Sequence, residues 1–124
     1  MSAQAFDPVI YKETTRKQWQ DAAEAWDRWG DVIERWLGPA TDVMLDMAGI
    51  REGSRVLDVA AGAGGQSLAA ARRVGRGGSV LATDISPNLL DFAAQRATER
   101  DWTTSRPQSS TASNSTSTRD HSTR

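Results

Sequence analysis

The chain has no cysteine, which excludes disulfides, thiol nucleophiles and thiolate metal sites. Its one histidine, His121, sits in a polar tail, away from any segment that could build a triad or an imidazole metal site. Long apolar runs are missing too, and none approaches the roughly 20 residues of a membrane-spanning helix. Neither sign of charge is in excess. Fifteen basic and 16 acidic residues leave a net charge of −1, so no basic field points to nucleic acid or to an anionic membrane. The opening MSAQAFDPVIYKE lacks the basic-then-apolar layout of a secretory leader. These absences leave the expectation of a cytoplasmic soluble protein with no metal, nucleic-acid or membrane-spanning partner. Its 124 residues allow one small domain.

Tryptophan is what the chain has in plenty. Residues 1–10 read as a loose arm. From about Thr14 to Leu37, apolar residues recur at Trp19, Ala22, Trp26, Trp29, Ile33, Trp36 and Leu37, a single helical stripe. Gly30 is a candidate break, and Gly38-Pro39 the expected end. Four tryptophans on one stripe need a surface to cover them. They either pack on the rest of the domain or roof a pocket, with one of them or Tyr11 near a ligand. A short helix at Thr41 to Ala48 follows, with Val43, Met44 and Met47 inward and Gly49 at its C′ position. Strands are expected at Arg55–Val59 and Ser79–Thr83. A helix at Gly64–Val74 lies between them, with Leu68 and Val74 on its inner face and Gly75 closing it. Ser86 is a good N-cap and Pro87 a good N1 residue for the next helix, whose apolar side is Leu89, Leu90, Phe92, Ala93 and Ala97. The order is a helical cap followed by β-α-β-α, the start of an open parallel α/β sheet.

The stretch VLDVAAGAGG joins the first strand to its helix. Glycine turns in that setting cradle nucleotides. No Lys-Ser/Thr pair follows the glycines, so this is not a P-loop. In a dinucleotide turn the pyrophosphate sits on the helix N-terminus, where an acid repels it. Asp58 ends the strand four residues before Gly62, which disfavours NAD and favours a phosphate-free ligand with cationic character. S-adenosylmethionine, with its sulfonium and amino group, meets that description. Asp84 ends the second strand 20 residues after Gly64, where an acid can accept from both ribose hydroxyls. NAD shares that requirement, so Asp84 alone does not choose between them.

Residues 55–98 resemble the N-terminal half of a class I S-adenosylmethionine-dependent methyltransferase. VLDVAAGAGG is similar to the family's first motif, hhD-x-G-x-G-x-G, with Ala60 in the first glycine place. That replacement needs a negative φ at Ala60 or some strain. VLATDISPNLL is similar to the second motif, with Asp84 as the ribose acid and Ile85 as the residue packing on adenine. The Trp-rich lead-in resembles the small-molecule branch that contains ubiquinone/menaquinone C-methyltransferases. The resemblance implies a Rossmann-like fold with an N-terminal helical cap, truncated after the first β-α-β-α. It implies S-adenosylmethionine as cofactor, held by Asp58, Ala60, Gly62, Gly64, Asp84 and Ile85, and methyl transfer to a small-molecule acceptor. Acceptor-binding residues in the family lie mostly after the fourth strand and in the cap, so catalytic residues are not assigned. A non-catalytic cofactor-binding or interaction fragment is the competing reading.

The chain divides into an arm and cap at 1–40, the cofactor half at 41–100 and a tail at 101–124. From Thr103 onward, 13 of 22 residues are Ser or Thr, the composition of a disordered linker. Back-translated with GC-rich codons and read one frame over, the same stretch encodes LDHVETPVVDGEQLDVDAGSFDA. That is an apolar strand, an acid and a turn leading to a further strand, similar to what the methyltransferase family has at this place. At the junction, GAG GCG GGA CTG encodes E-A-G-L, and loss of one G yields the observed Glu99-Arg100-Asp101-Trp102. The tail is therefore expected to be out of frame, from a single-base loss near codon 99. Sequencing the locus tests this. A codon string with no such hidden continuation would dismiss it.

Overall fold

The computed structural model describes residues 5–100. The Ser/Thr-rich stretch 101–124 lies outside them, and so does the reading of it as a disordered tail. The described residues form α1 (Pro8–Arg28), α2 (Gly30–Met47), β1 (Arg55–Val59), α3 (Gly65–Val74), β2 (Ser79–Thr83) and α4 (Pro87–Glu99). None of these helices is long and apolar enough to cross a membrane.

The N-terminal arm is shorter than expected. The Asp7 side chain accepts from the Val9 and Ile10 amides at 2.9 and 3.2 Å, and Pro8 occupies N1, so α1 begins six residues before Thr14. Trp29 ends α1 and starts α2, with φ −93° and ψ 3°. Gly38-Pro39 does not stop the second helix, which runs through Pro39 to Met47. An interior proline costs about 3 kcal/mol. Anchors beyond it offset that cost. Thr41 and Leu45 are buried, and Arg73 of α3 donates to the Asp42 carbonyl at 3.0 Å and pairs with the Asp46 carboxylate. The separate helix expected at Thr41 to Ala48 is thus the second half of α2. Its inward face is Thr41 and Leu45, while Val43, Met44 and Met47 are exposed. The end is as expected: Gly49 and Ile50 donate to the Asp46 and Leu45 carbonyls at 3.0 and 3.1 Å, a Schellman closure.

Both strands match their expected limits. They pair in parallel, with Val56 opposite Val80 and Leu57 opposite Leu81. Side chains alternate across a strand, so this register sorts them by face. Val56 and Val80 pack on Leu45, Ala70, Ala71 and Val74, the core. Leu57, Val59 and Leu81 take the other face, where Leu57 is 62% and Val59 72% exposed. On α4, Leu89, Leu90, Ala93 and Ala97 are buried and Phe92 partly so.

Among the described residues, half of the twelve buried apolar side chains are alanines, while sixteen larger apolar side chains stay exposed. Alanine burial contributes little against roughly 1–2 kcal/mol of backbone entropy per ordered residue. The isolated 124-residue chain is expected to unfold at a low midpoint in a shallow transition and to bind a hydrophobic dye before melting. Calorimetry and dye titration check this, and a sharp transition at high temperature would refute it.

Candidate functional site

The strand ends and the turn between them build the site. Past the end of β1, the Ala61 amide donates to the Thr83 carbonyl at 2.9 Å, so the ladder continues into the glycine turn. Asp84, just beyond β2, then bridges the two halves. Its Oδ2 accepts from the Gly62 amide and its Oδ1 from the Ser86 amide, each at 2.9 Å. Each carboxylate oxygen offers two lone pairs, so one on each stays available to a ligand.

The turn's special residues have separate physical reasons. Ala60 takes φ +62°, so the strained alternative holds at the first glycine place of the motif. For an L-residue this costs about 1–2 kcal/mol. Gly62 has φ +59° and open space where a side chain would stand, which keeps its backbone approachable. Gly64 has φ +92°, and a Cβ there would lie 2.8 Å from the Ala93 Cβ. Its bare backbone lets α4 close on the turn.

Asp58 is placed differently from a group at the mouth of the turn. Its carboxylate accepts from the Ser67 hydroxyl at 2.6 Å, in the first turn of α3, which carries no acid of its own. There its negative charge sits near the N-terminal end of α3 and complements the helix dipole. Burial, the largest influence, pushes the Asp58 carboxyl above its ordinary range. The Ser67 bond pulls it back, and the Asp84 charge adds a smaller push upward.

A cleft of about 1500 Å³ opens in front of the turn. Ala60, Gly62, Asp84 and Ile85 line it, whereas Asp58 and Gly64 are not among its lining residues. The exposed sheet face, Leu57, Val59 and Leu81, forms one wall. Trp19 and Trp26 of α1, with ring centroids 5.9 Å apart, form part of another. Two tryptophans of the stripe thus line a pocket, while Trp29 and Trp36 lie outside its lining and Trp36 is 79% exposed. Tyr11 is not a lining residue, and its ring meets that of Phe6 at a tilt of 53°, with centroids 5.4 Å apart.

Two fastenings of the cap were not foreseen in the sequence. Gln20 of α1 accepts from the Ser86 hydroxyl at 2.6 Å. Arg96 of α4 donates to the Asp27 carboxylate at 3.1 Å and to the Asp27 carbonyl at 2.7 Å, and Arg100 forks onto Glu34 at 3.0 and 3.1 Å. A signal for the second existed. Asp27, Asp31 and Glu34 form an acidic row at helical spacing, and Arg96 falls beside Ala97 on the apolar side of α4. Nothing local marks Gln20.

The sequence model of the family described as "Methyltransferase domain" matches residues 56–122, more than half of the chain. The chain belongs to this methyltransferase family. The matched segment contains all six residues expected to hold the cofactor. An uncharacterized protein of Mycobacterium tuberculosis is 44% identical to this chain over 66 residues, 53% of this chain and 23% of that protein. Demethylmenaquinone methyltransferase of Staphylococcus aureus is 32% identical over 92 residues, 73% of this chain and 38% of that enzyme. The crystal structure of a SAM-dependent methyltransferase from Aquifex aeolicus shares the fold with a TM-score of 0.53 at 27% identity, covering 56% of this chain and 37% of that one. The chain therefore spans well under half the length of each.

The raised Asp58 carboxyl makes a pH prediction. The folded state holds its proton more tightly than the unfolded state does, so ionising Asp58 costs stability. The cost is absent below the ordinary carboxylate range, grows as pH rises through the folded pKa, and is complete above it. Asp58→Asn keeps an acceptor for Ser67 without the charge. It should raise the urea midpoint at neutral pH and leave it unchanged in acid. An equal gain at both ends would show that the charge is not responsible.

Proposed function

We propose that this chain binds S-adenosylmethionine and is the cofactor-holding part of a longer methyltransferase acting on a small molecule. The Asp84 carboxylate carries this reading. It lines the cleft, is held by two backbone amides, and keeps a lone pair on each oxygen for paired hydroxyls. Ile85 beside it supplies an apolar surface for a planar base. Asp58 at the first turn of α3 favours a cationic, phosphate-free ligand over a dinucleotide. When bound, S-adenosylmethionine supplies a methyl group activated by its sulfonium. The chain's own residues orient that ligand between the glycine turn and the tryptophans of the cap, and alignment of this kind is the main source of rate in such a transfer.

The name of the Staphylococcus relative, a demethylmenaquinone methyltransferase, supports a small-molecule acceptor. The chain's small share of its relatives' length supports the reading of a cofactor half. The exposed Leu57, Val59 and Trp36 favour a second reading, a non-catalytic cofactor-binding or interaction fragment. Methyl transfer by a frame-repaired chain, set beside this one, separates the two.

Calorimetric titration with S-adenosylmethionine, S-adenosylhomocysteine and NAD should show binding of the first two only. Asp84→Ala should weaken both by tenfold or more, from the loss of about 1.5–3 kcal/mol of charged hydrogen bonding. Unchanged affinity in that variant would rule out the ribose assignment.

A further inference from the structure

A chain of hydrogen bonds runs from the cap to the glycine turn. The Ser86 hydroxyl donates to Gln20 Oε1 at 2.6 Å. The Ser86 amide donates to Asp84 Oδ1 at 2.9 Å, and Asp84 Oδ2 accepts from the Gly62 amide at 2.9 Å. Ser86 itself is 0% exposed. Its hydroxyl oxygen caps α4 by accepting from the Leu89 amide at 3.3 Å. A hydroxyl has one proton to give, and a buried one needs an acceptor. Gln20 is that acceptor, and its oxygen also takes the Asn88 amide at 3.4 Å.

We propose that Gln20 is a positioning residue for ribose recognition: from the cap it fixes Ser86, and through Ser86 the Asp84 carboxylate. This rests on the reading of Asp84 as the ribose acid. Without Gln20, the buried Ser86 hydroxyl must seek another acceptor, and Asp84 already lies within reach of the same residue's amide. A hydroxyl turned onto Asp84 takes a lone pair that the ligand needs. Gln20 therefore keeps that carboxylate free on its cleft side, and docking of α1 and binding of the ribose become linked events. Linkage is reciprocal, so ligand on Asp84 also holds α1 in place.

The test uses the whole 124-residue chain, with S-adenosylhomocysteine and its 2′,3′-dideoxy counterpart as probes. The wild type should prefer the hydroxylated probe. Gln20→Leu should cut that preference about tenfold while leaving affinity for the dideoxy probe nearly unchanged. Gln20→Glu, which keeps an acceptor at the same reach, should restore it. Gln20→Asn, too short for Ser86, repeats the loss should the leucine variant not fold. Equal weakening of both probes would make Gln20 merely structural and overturn the inference, as would no change in either. A wild type that binds without preferring the hydroxyls would overturn the ribose reading itself, a different outcome from those two. In ligand-free protein, amide exchange at Gly62 and Ser86 should quicken in Gln20→Leu, and unaltered exchange there would contradict the proposal.

Discussion

The Asp84 carboxylate holds the site together. One oxygen fixes Gly62 in the turn after β1, and the other fixes Ser86 at the start of α4. Two segments 22 and two residues away are joined through one side chain. A half-buried carboxylate that accepts from two backbone amides is held in place, because moving it leaves donors unpaired. The glycine turn, the end of β2 and the entry to α4 therefore hold their geometry as one unit. Asp58 works on the other side of that turn, tying β1 to the first turn of α3 through Ser67.

The cap reaches this unit by polar contacts as well as by apolar packing, in which Ala23 of α1 is fully buried. Gln20 meets Ser86 at one end of α4, and Asp27 meets Arg96 farther along it. Trp19 and Trp26 stay partly exposed along the cleft. The same division shows in the sheet. One face is packed on α3, and the other carries exposed Leu57, Val59 and Leu81 as a cleft wall. The described residues thus leave much apolar surface open, which leaves little to stabilise them.

Local chemistry was legible wherever neighbours in the chain decide the outcome. Both strands, the Ser86 cap, the Pro87 start and the Gly49 end follow from short-range rules, and the structure repeats them. Pro39 shows where such rules fail. Its ring disfavours a helix interior, yet contacts from Arg73, Thr41 and Leu45 carry the helix past it. The phase of that helix shifted with it, exposing Val43, Met44 and Met47. At the other end, Asp7 started α1 before the apolar stripe did.

The sequence by itself determined the order of elements, the glycine turn and the two acids at the strand ends. These depend on spacing and on backbone preferences carried by single residues. Tertiary structure decided how those acids are used. Asp58 and Asp84 look alike in sequence, each near the end of an apolar strand, but Asp58 lies within β1 and accepts from Ser67, whereas Asp84 follows β2 and lines the cleft. Tertiary structure also chose Gln20 and Arg96, each more than 60 residues away from its partner. Such pairings arise only when the chain folds back on itself, and no local signal can specify which polar side chain will meet a buried hydroxyl.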